Sequence, residues 1–249
     1  MQKQNTLADS FSLEGKGLHT GLNIHITFNP APENHGYKIK RTDLPEQPII
    51  DAVAENVINT QRGTVIGKKD IQISTIEHAM AALYAAGIDN CLIEVDAPEF
   101  PILDGSSRFY TEGISKVGLK KQTANKQYYI VKHKIEVKDE ETGASIMILP
   151  EDNFSVNVLV SYNSPVLTNQ YAVMDDLSQF PSEISASRTF VFVREIEMLI
   201  QNNLIKGGDL DNAIVIYDQK VSQDSLDKLA DMMNQPRKSA EELGYISNN

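Results

Sequence analysis

The 249 residues are enough for two domains of ordinary size, each burying its own core. Apolar side chains make up 41% and charged ones 23%, a globular balance that excludes a disordered chain. With 34 acidic against 23 basic side chains the formal charge is -11, and since no local basic patch offsets it, nucleic acid is excluded as an expected partner.

No stretch reaches the ~18 to 20 apolar residues that a membrane helix needs, so the chain is not expected to be transmembrane. Met1 to Ser10 is too polar for a secretory signal. One cysteine, Cys91, cannot form an internal disulfide and reads as a small apolar residue on a buried strand. These features together place the protein in the reducing cytoplasm.

In chain order, Gly15, Gly17 and Gly21 surround Leu18, His19 and Thr20 and predict a tight turn. Leu22, Ile24, Ile26 and Phe28 alternate with Asn23, His25 and Thr27, the period of two that marks a half-buried strand and leaves His25 in solvent. A helix is predicted from Ser74. Ser74 and Glu77 form a capping box, Ile76, Ala79, Met80, Leu83 and Tyr84 make one apolar face, and Gly87 supplies the stop. Ala81, Ala82, Ala85 and Ala86 leave the other face small, which suits a helix lying between two layers.

After the Cys91 strand, Pro98, Pro101, Asp104 and Gly105 read as turn and loop. Residues Lys120 to Gln127 are polar without apolar periodicity and predict a linker between halves. Beyond it, Tyr129, Val131, His133, Ile135 and Val137 share one predicted strand face, and Phe154, Val156, Val158, Val160 and Tyr162 another. A helix over Arg194 to Leu204, then Gly207-Gly208 and a strand over Ala213 to Tyr217, make a crossover unit. From Val221 the chain is polar and helix-prone, with Pro236 interrupting it.

Glu77 and His78 are the residues with chemistry to offer. A neutral imidazole is a good zinc ligand, and a neighbouring carboxylate can take a proton from metal-bound water. Adjacent helical residues point about 100° apart, so one ligates while the other reaches the water. As a motif the pair is weak. On the residues alone it reads more readily as a capping glutamate beside an ordinary helix-start histidine.

Five segments in order, Gly17-Leu18-His19-Thr20-Gly21, Arg41-Thr42-Asp43-Leu44, Ile73-Ser74-Thr75-Ile76-Glu77-His78, Gly87-Ile88-Asp89-Asn90 and Pro101-Ile102-Leu103-Asp104-Gly105-Ser106, resemble the UDP-3-O-acyl-N-acetylglucosamine deacetylase family. The likeness runs on through Ser187-Arg188-Thr189-Phe190 and Gly207-Gly208 and covers nearly the whole chain. It implies an α+β fold of two similar two-layer domains, each a mainly antiparallel sheet with helices on one face, the helices of both packed together between the sheets. The domains are expected over residues 1–122 and 123–249, the second carrying a crossover insert at 191–217.

The resemblance also implies zinc-dependent hydrolysis of the N-acetyl group of an acylated UDP-glucosamine, releasing acetate in the committed step of lipid A synthesis. By position in the motifs, His78 is the first zinc ligand and Glu77 the general base. Thr189 lies by the developing oxyanion and Phe190 beside the sugar, with Leu18 and His19 at the site's edge. Ile196, Ala213 and Val215 line an apolar passage for the acyl chain.

In that family the other two zinc ligands come from a later helix carrying His-Lys-x-x-Asp, whose spacing puts both on one face. None of His19, His25, His35, His78 and His133 has an aspartate four residues on. The expectation is therefore a chain that stops at Asn249 ahead of the motif, with its second domain incomplete at the C-terminus, binding no zinc at the family site and inactive alone. Some members are fused to a hydroxyacyl carrier-protein dehydratase, a further expected partner. The competing reading is a catalytically silent module that keeps the nucleotide-sugar or acyl site without the metal.

Overall fold

The computed structural model describes residues 2–201, 205–209, 211–232, 235–239 and 241–242. The first half holds strands β1 (Lys3–Leu7), β2 (Phe11–Lys16), β3 (Asn23–Pro30), β4 (Tyr37–Arg41) and β5 (Ile49–Asp51), then a meander of β6 (Val57–Asn59), β7 (Val65–Lys68) and β8 (Ile71–Ile73). Helix α1 (Glu77–Ala85), β9 (Cys91–Val95), α2 (Arg108–Val117) and β10 (Leu119–Asn125) follow. The main sheet has the order β2-β3-β9-β4-β5 and is antiparallel except where β4 runs parallel to β9.

The alternation in β3 does what the sequence predicts. Ile24, Ile26 and Phe28 are buried, and His25 is exposed beside Glu14 at 3.1 Å. Phe28 stacks on Phe11 with ring centroids 4.8 Å apart and meets Tyr110 of α2 edge-on at 5.7 Å. The Tyr110 hydroxyl donates to the Pro101 carbonyl at 2.8 Å, so a buried aromatic also anchors the loop before α2. Each such buried side chain contributes about 1.5 to 3 kcal/mol over an exposed one. Cys91 sits fully inside this core, and burial pushes its thiol up to about 12.

Polar bonds join the outer strands to the sheet. Asn90 is buried and donates to Gln4 at 2.9 Å and Gln122 at 2.7 Å, while its side-chain oxygen accepts from the Gly36 amide at 2.9 Å. Asp89 accepts from the Asn5 amide at 2.7 Å and pairs with Lys126 at 3.0 Å. The Gly87-Ile88-Asp89-Asn90 motif is thus a structural tie between β1, β10 and β9.

That tie explains one correction. Lys120 to Gln127, expected as a linker, lies largely in β10, which pairs antiparallel with β1 from Leu7↔Leu119 to Lys3↔Asn125. Its polarity reflects a solvated strand rather than a loop, and the boundary expected between 122 and 123 falls inside it.

The second half contains two hairpins, β11 (Ile135–Lys138) with β12 (Ser145–Ile148) and β13 (Val156–Ser161) with β14 (Asn169–Met174). Tyr129, Val131 and His133, expected on a strand with Ile135, are irregular. The reason is partner length: β12 has four residues, and the ladder ends at Ile135↔Ile148. A crossover unit then runs through β15 (Phe190–Phe192), α3 (Val193–Gln201) and β16 (Ile214–Ile216), the strands pairing in parallel as the sequence predicts. Leu204, expected in that helix, and the tail from Leu243 lie outside the described residues. Helix α4 (Gln223–Met232) packs Leu226 against Val193 and Tyr217 in a second, smaller core. The fold is α+β, and no described helix is long and apolar enough to cross a membrane.

Candidate functional site

Glu77 and His78 occupy the first turn of α1, both half-buried. The expected capping box is not formed. Ile76 is the N-cap, without a side-chain bond, and the Ser74 hydroxyl reaches the Pro98 carbonyl at 3.4 Å instead. The cause is the backbone at Thr75, whose φ of 59° turns the chain out of the geometry a cap requires. Glu77 is consequently turned toward the 60–64 loop, where it accepts from the Thr64 amide at 2.9 Å.

Burial holds the His78 imidazole below its ordinary value, against the opposite pull of Glu77 and Asp104. The ring is therefore neutral near pH 7, the form that ligates metals. Of the expected apolar face of α1, Ile76, Ala79 and Leu83 are buried, but Tyr84 is 51% exposed and meets Phe154 edge-on at 5.4 Å. Ala82 is buried in its place.

Three segments converge on the start of α1. The loop at 101–107 is fixed to it by Ser107, whose hydroxyl donates to the His78 carbonyl at 2.9 Å. The same loop meets the segment leading into β15: the Thr189 amide donates to the Gly105 carbonyl at 2.7 Å, and Arg188 Nε donates to the Asp104 carbonyl at 2.6 Å. The 17–21 turn is the third. Glu99, fully buried, accepts from the amides of His19 (2.9 Å) and Thr20 (3.0 Å), from the Thr20 hydroxyl (2.9 Å) and from the Thr75 hydroxyl (3.1 Å).

The crossover insert closes over this junction by backbone contact. The Gly207 amide donates to the Leu18 carbonyl at 3.0 Å, and a Cβ on Gly207 would stand 2.2 Å from the Gly17 oxygen. A Cβ on Gly105, whose φ is 79°, would stand 2.1 Å from the Asn212 oxygen. The glycines of both motifs are thus required by close approach. From the 60–64 loop, Arg62 reaches Glu195 of α3 at 3.4 Å.

Leu18, His19, Glu77, His78 and Thr189 are accordingly joined through the 101–107 loop and Glu99. Phe190 follows Thr189 but packs edge-on with Tyr162 at 5.2 Å and Phe192 at 5.5 Å. Ile196 is buried on α3, Ala213 is half-buried, and Val215 packs into the small core beside Val193 and Tyr217. A cleft of about 390 Å³ adjoins this junction, lined by Gly15, Lys16, Ile102, Leu103, Gly207 and Asn212 among others, and none of the candidate residues is part of its lining. His19 Nδ1 is buried with no hydrogen-bond partner among the described residues.

Sequence reasoning missed Glu99 and Ser107. Pro98-Glu99-Phe100-Pro101 reads as loop chemistry, and the available signal was a carboxylate set between two prolines in an otherwise apolar stretch.

The family model for LpxC, UDP-3-O-acyl N-acetylglycosamine deacetylase, matches residues 4–232. The chain belongs to this deacetylase family. It is 63% identical to a bifunctional enzyme LpxC/FabZ of Bacteroides thetaiotaomicron over 99% of its own length and 54% of that protein's. A bifunctional enzyme LpxC/FabZ of Porphyromonas gingivalis is 60% identical over 100% and 54%. A UDP-3-O-acyl-N-acetylglucosamine deacetylase of Methylococcus capsulatus is 41% identical over 87% of this chain and 71% of that protein. The chain thus spans about half the length of the bifunctional relatives it matches.

The family's expected zinc can be tested against the donors on hand. Among the described residues no group of three or more His, Cys, Asp or Glu side chains is gathered to hold a metal ion. Catalytic zinc takes three protein ligands and a water, so His78 with its neighbours does not make such a site.

Proposed function

We propose that this chain carries one part of a deacetylase site for an acylated UDP-N-acetylglucosamine, in the cytoplasmic synthesis of lipid A, and is inactive by itself. The observation that carries the reading is the junction at the start of α1. A carboxylate held by a backbone amide and a neutral imidazole stand side by side, where the 17–21 turn, the 101–107 loop and the Thr189 segment meet.

In this reading Glu77 takes the place of the general base and His78 that of a zinc ligand. Thr189 stands by the oxyanion and Phe190 beside the sugar, with Leu18 and His19 at the site's edge. Ile196, Ala213 and Val215 are assigned to the acyl passage. Among the described residues no second and third ligand are gathered with His78. The reading places activity in a polypeptide extended as the relatives are, joined to the second enzyme unit that the bifunctional relatives' names denote. The incomplete ligand set also favours a second reading, a silent module that binds the nucleotide-sugar without zinc.

Metal analysis and acetate release, measured on residues 1–249 and on the sequence prolonged by the adjoining codons of its gene, separate these. The expected outcome is neither zinc nor turnover in the first and both in the second, with loss of at least about a hundredfold in turnover for Glu77→Gln. One zinc per chain in residues 1–249, lost in His78→Ala, contradicts the proposed inactivity. A prolonged chain that binds substrate without hydrolysing it establishes the silent module.

A further inference from the structure

We infer that Glu99 is a positioning residue whose buried carboxylate fixes the His19 turn and the Thr75 approach to Glu77 and His78 in one relative geometry. The inference rests on the deacetylase reading for its consequence, but not for its geometry.

A carboxylate offers about four acceptor positions, and all are used here. Oε1 accepts from the His19 amide and the Thr75 hydroxyl; Oε2 accepts from the Thr20 amide and hydroxyl. The two oxygens therefore divide their bonds between two distant segments, 17–21 and 74–77. Glu99 has no exposed surface, and bonds to a desolvated, charged acceptor are stronger than neutral ones. The side chain thereby adds a direct tie between two segments that backbone bridges, Gly17↔Pro101 and Ser74↔Glu99, already hold to the 98–102 stretch.

Thr75 supplies an independent sign. A β-branched residue at φ 59° is strained, and such strain persists where surrounding contacts over-determine it. The hydroxyl bond to Glu99 is one such contact. The Ser74 amide donating to the Pro98 carbonyl and the Phe100 amide donating to the Ser74 carbonyl, both at 3.0 Å, are others. The strained residue stands two positions ahead of Glu77, so its release would swing the first turn of α1. Gly17 completes the packing, since a Cβ there would lie 2.5 Å from Glu99 Oε2 and 2.4 Å from the Thr20 hydroxyl.

Glu99→Gln keeps the shape but turns an amide NH₂ toward the Thr20 N–H. In residues 1–249, amide exchange of His19 and Thr20 should quicken by about tenfold to a hundredfold. The imidazole ¹H–¹⁵N signals of His19 and His78 should shift at fixed pH, which a loss of overall stability alone would not produce. Exchange within about twofold of the unsubstituted protein, with unmoved imidazole signals, overturns the inference. Should that variant not fold, Thr75→Val removes one hydroxyl and should loosen the amides of 75–77 while leaving Ile26 and Ile93 unchanged; uniform loosening, or none, overturns it. In a prolonged chain that deacetylates, Glu99→Gln should lower kcat about tenfold at unchanged zinc content and near-constant KM. If no form of the protein turns over substrate, the deacetylase reading fails, and the exchange experiment still decides the role of Glu99.

Discussion

Arg41 is 5% exposed, and its guanidinium is satisfied by two bonds to Asp43, at 2.9 and 2.7 Å, and one to the Gln72 carbonyl at 2.9 Å. The Arg41-Thr42-Asp43-Leu44 motif therefore ties the end of β4 to β8, whose next residues lead into Thr75 and α1. Arg41 holds the Asp43 carboxyl below its ordinary 3.8. A carboxylate with a lowered folded pKa contributes stability that is complete above 3.8 and is lost as pH falls through the folded value. Asp43→Asn should cost about 2 kcal/mol at neutral pH, because it leaves a buried guanidinium without its charge partner. Thermal unfolding of the variant should converge with that of the parent as pH drops through the lowered carboxyl value. At this scale residue type and adjacency marked Glu77 and His78 only as a weak pair, and the resemblance of the surrounding motifs gave them their roles. Glu99 was not legible, because a buried carboxylate satisfied by distant amides leaves no periodic trace in the chain.

At the scale of elements, local patterns were legible wherever the same residues also bury. β3, α3 and the parallel pair β15 and β16 lie where alternation and helical spacing put them. The cap of α1 was misread, since Ser74 and Glu77 have the right spacing but Thr75 turns the backbone between them. The strand at β10 was misread as linker because its partner β1 is more than a hundred residues away, and polar composition there reports solvent rather than irregularity. The Gly207 turn shows what docking demands of an element. Gly207→Ala should push the insert off the Gly17 carbonyl and break the Leu18 bond, costing about 1 to 3 kcal/mol. Chemical denaturation would measure that cost, and an unchanged midpoint would show that the insert is not seated on the 17–21 turn.

Over the whole molecule the two halves differ in how they bury their sheets. The core of the first is continuous across β2, β3, β9, β4, α1 and α2, and it takes in Met174 of β14 and Phe180 from the second. In the second, β11 to β14 make two separate ladders, and Val137, Ile146, Leu159 and Tyr171 are each more than 60% exposed. Isolated two-stranded ladders with apolar faces are marginal in water and prone to association. Val137→Lys with Leu159→Lys should therefore raise the concentration at which residues 1–249 stay monomeric, read by light scattering, and leave the unfolding of the first half unchanged. The asymmetry was hidden from the sequence, because alternating apolar residues announce a strand without naming what covers it.

The sealed position of Cys91 carries a practical corollary for the intact fold. With its sulfur enclosed in the central strand and its proton tightly held, the thiol is closed to alkylating reagents while the five strands stay paired. Labelling at this one atom thus acts as a built-in clock for rupture of the sheet that encloses it.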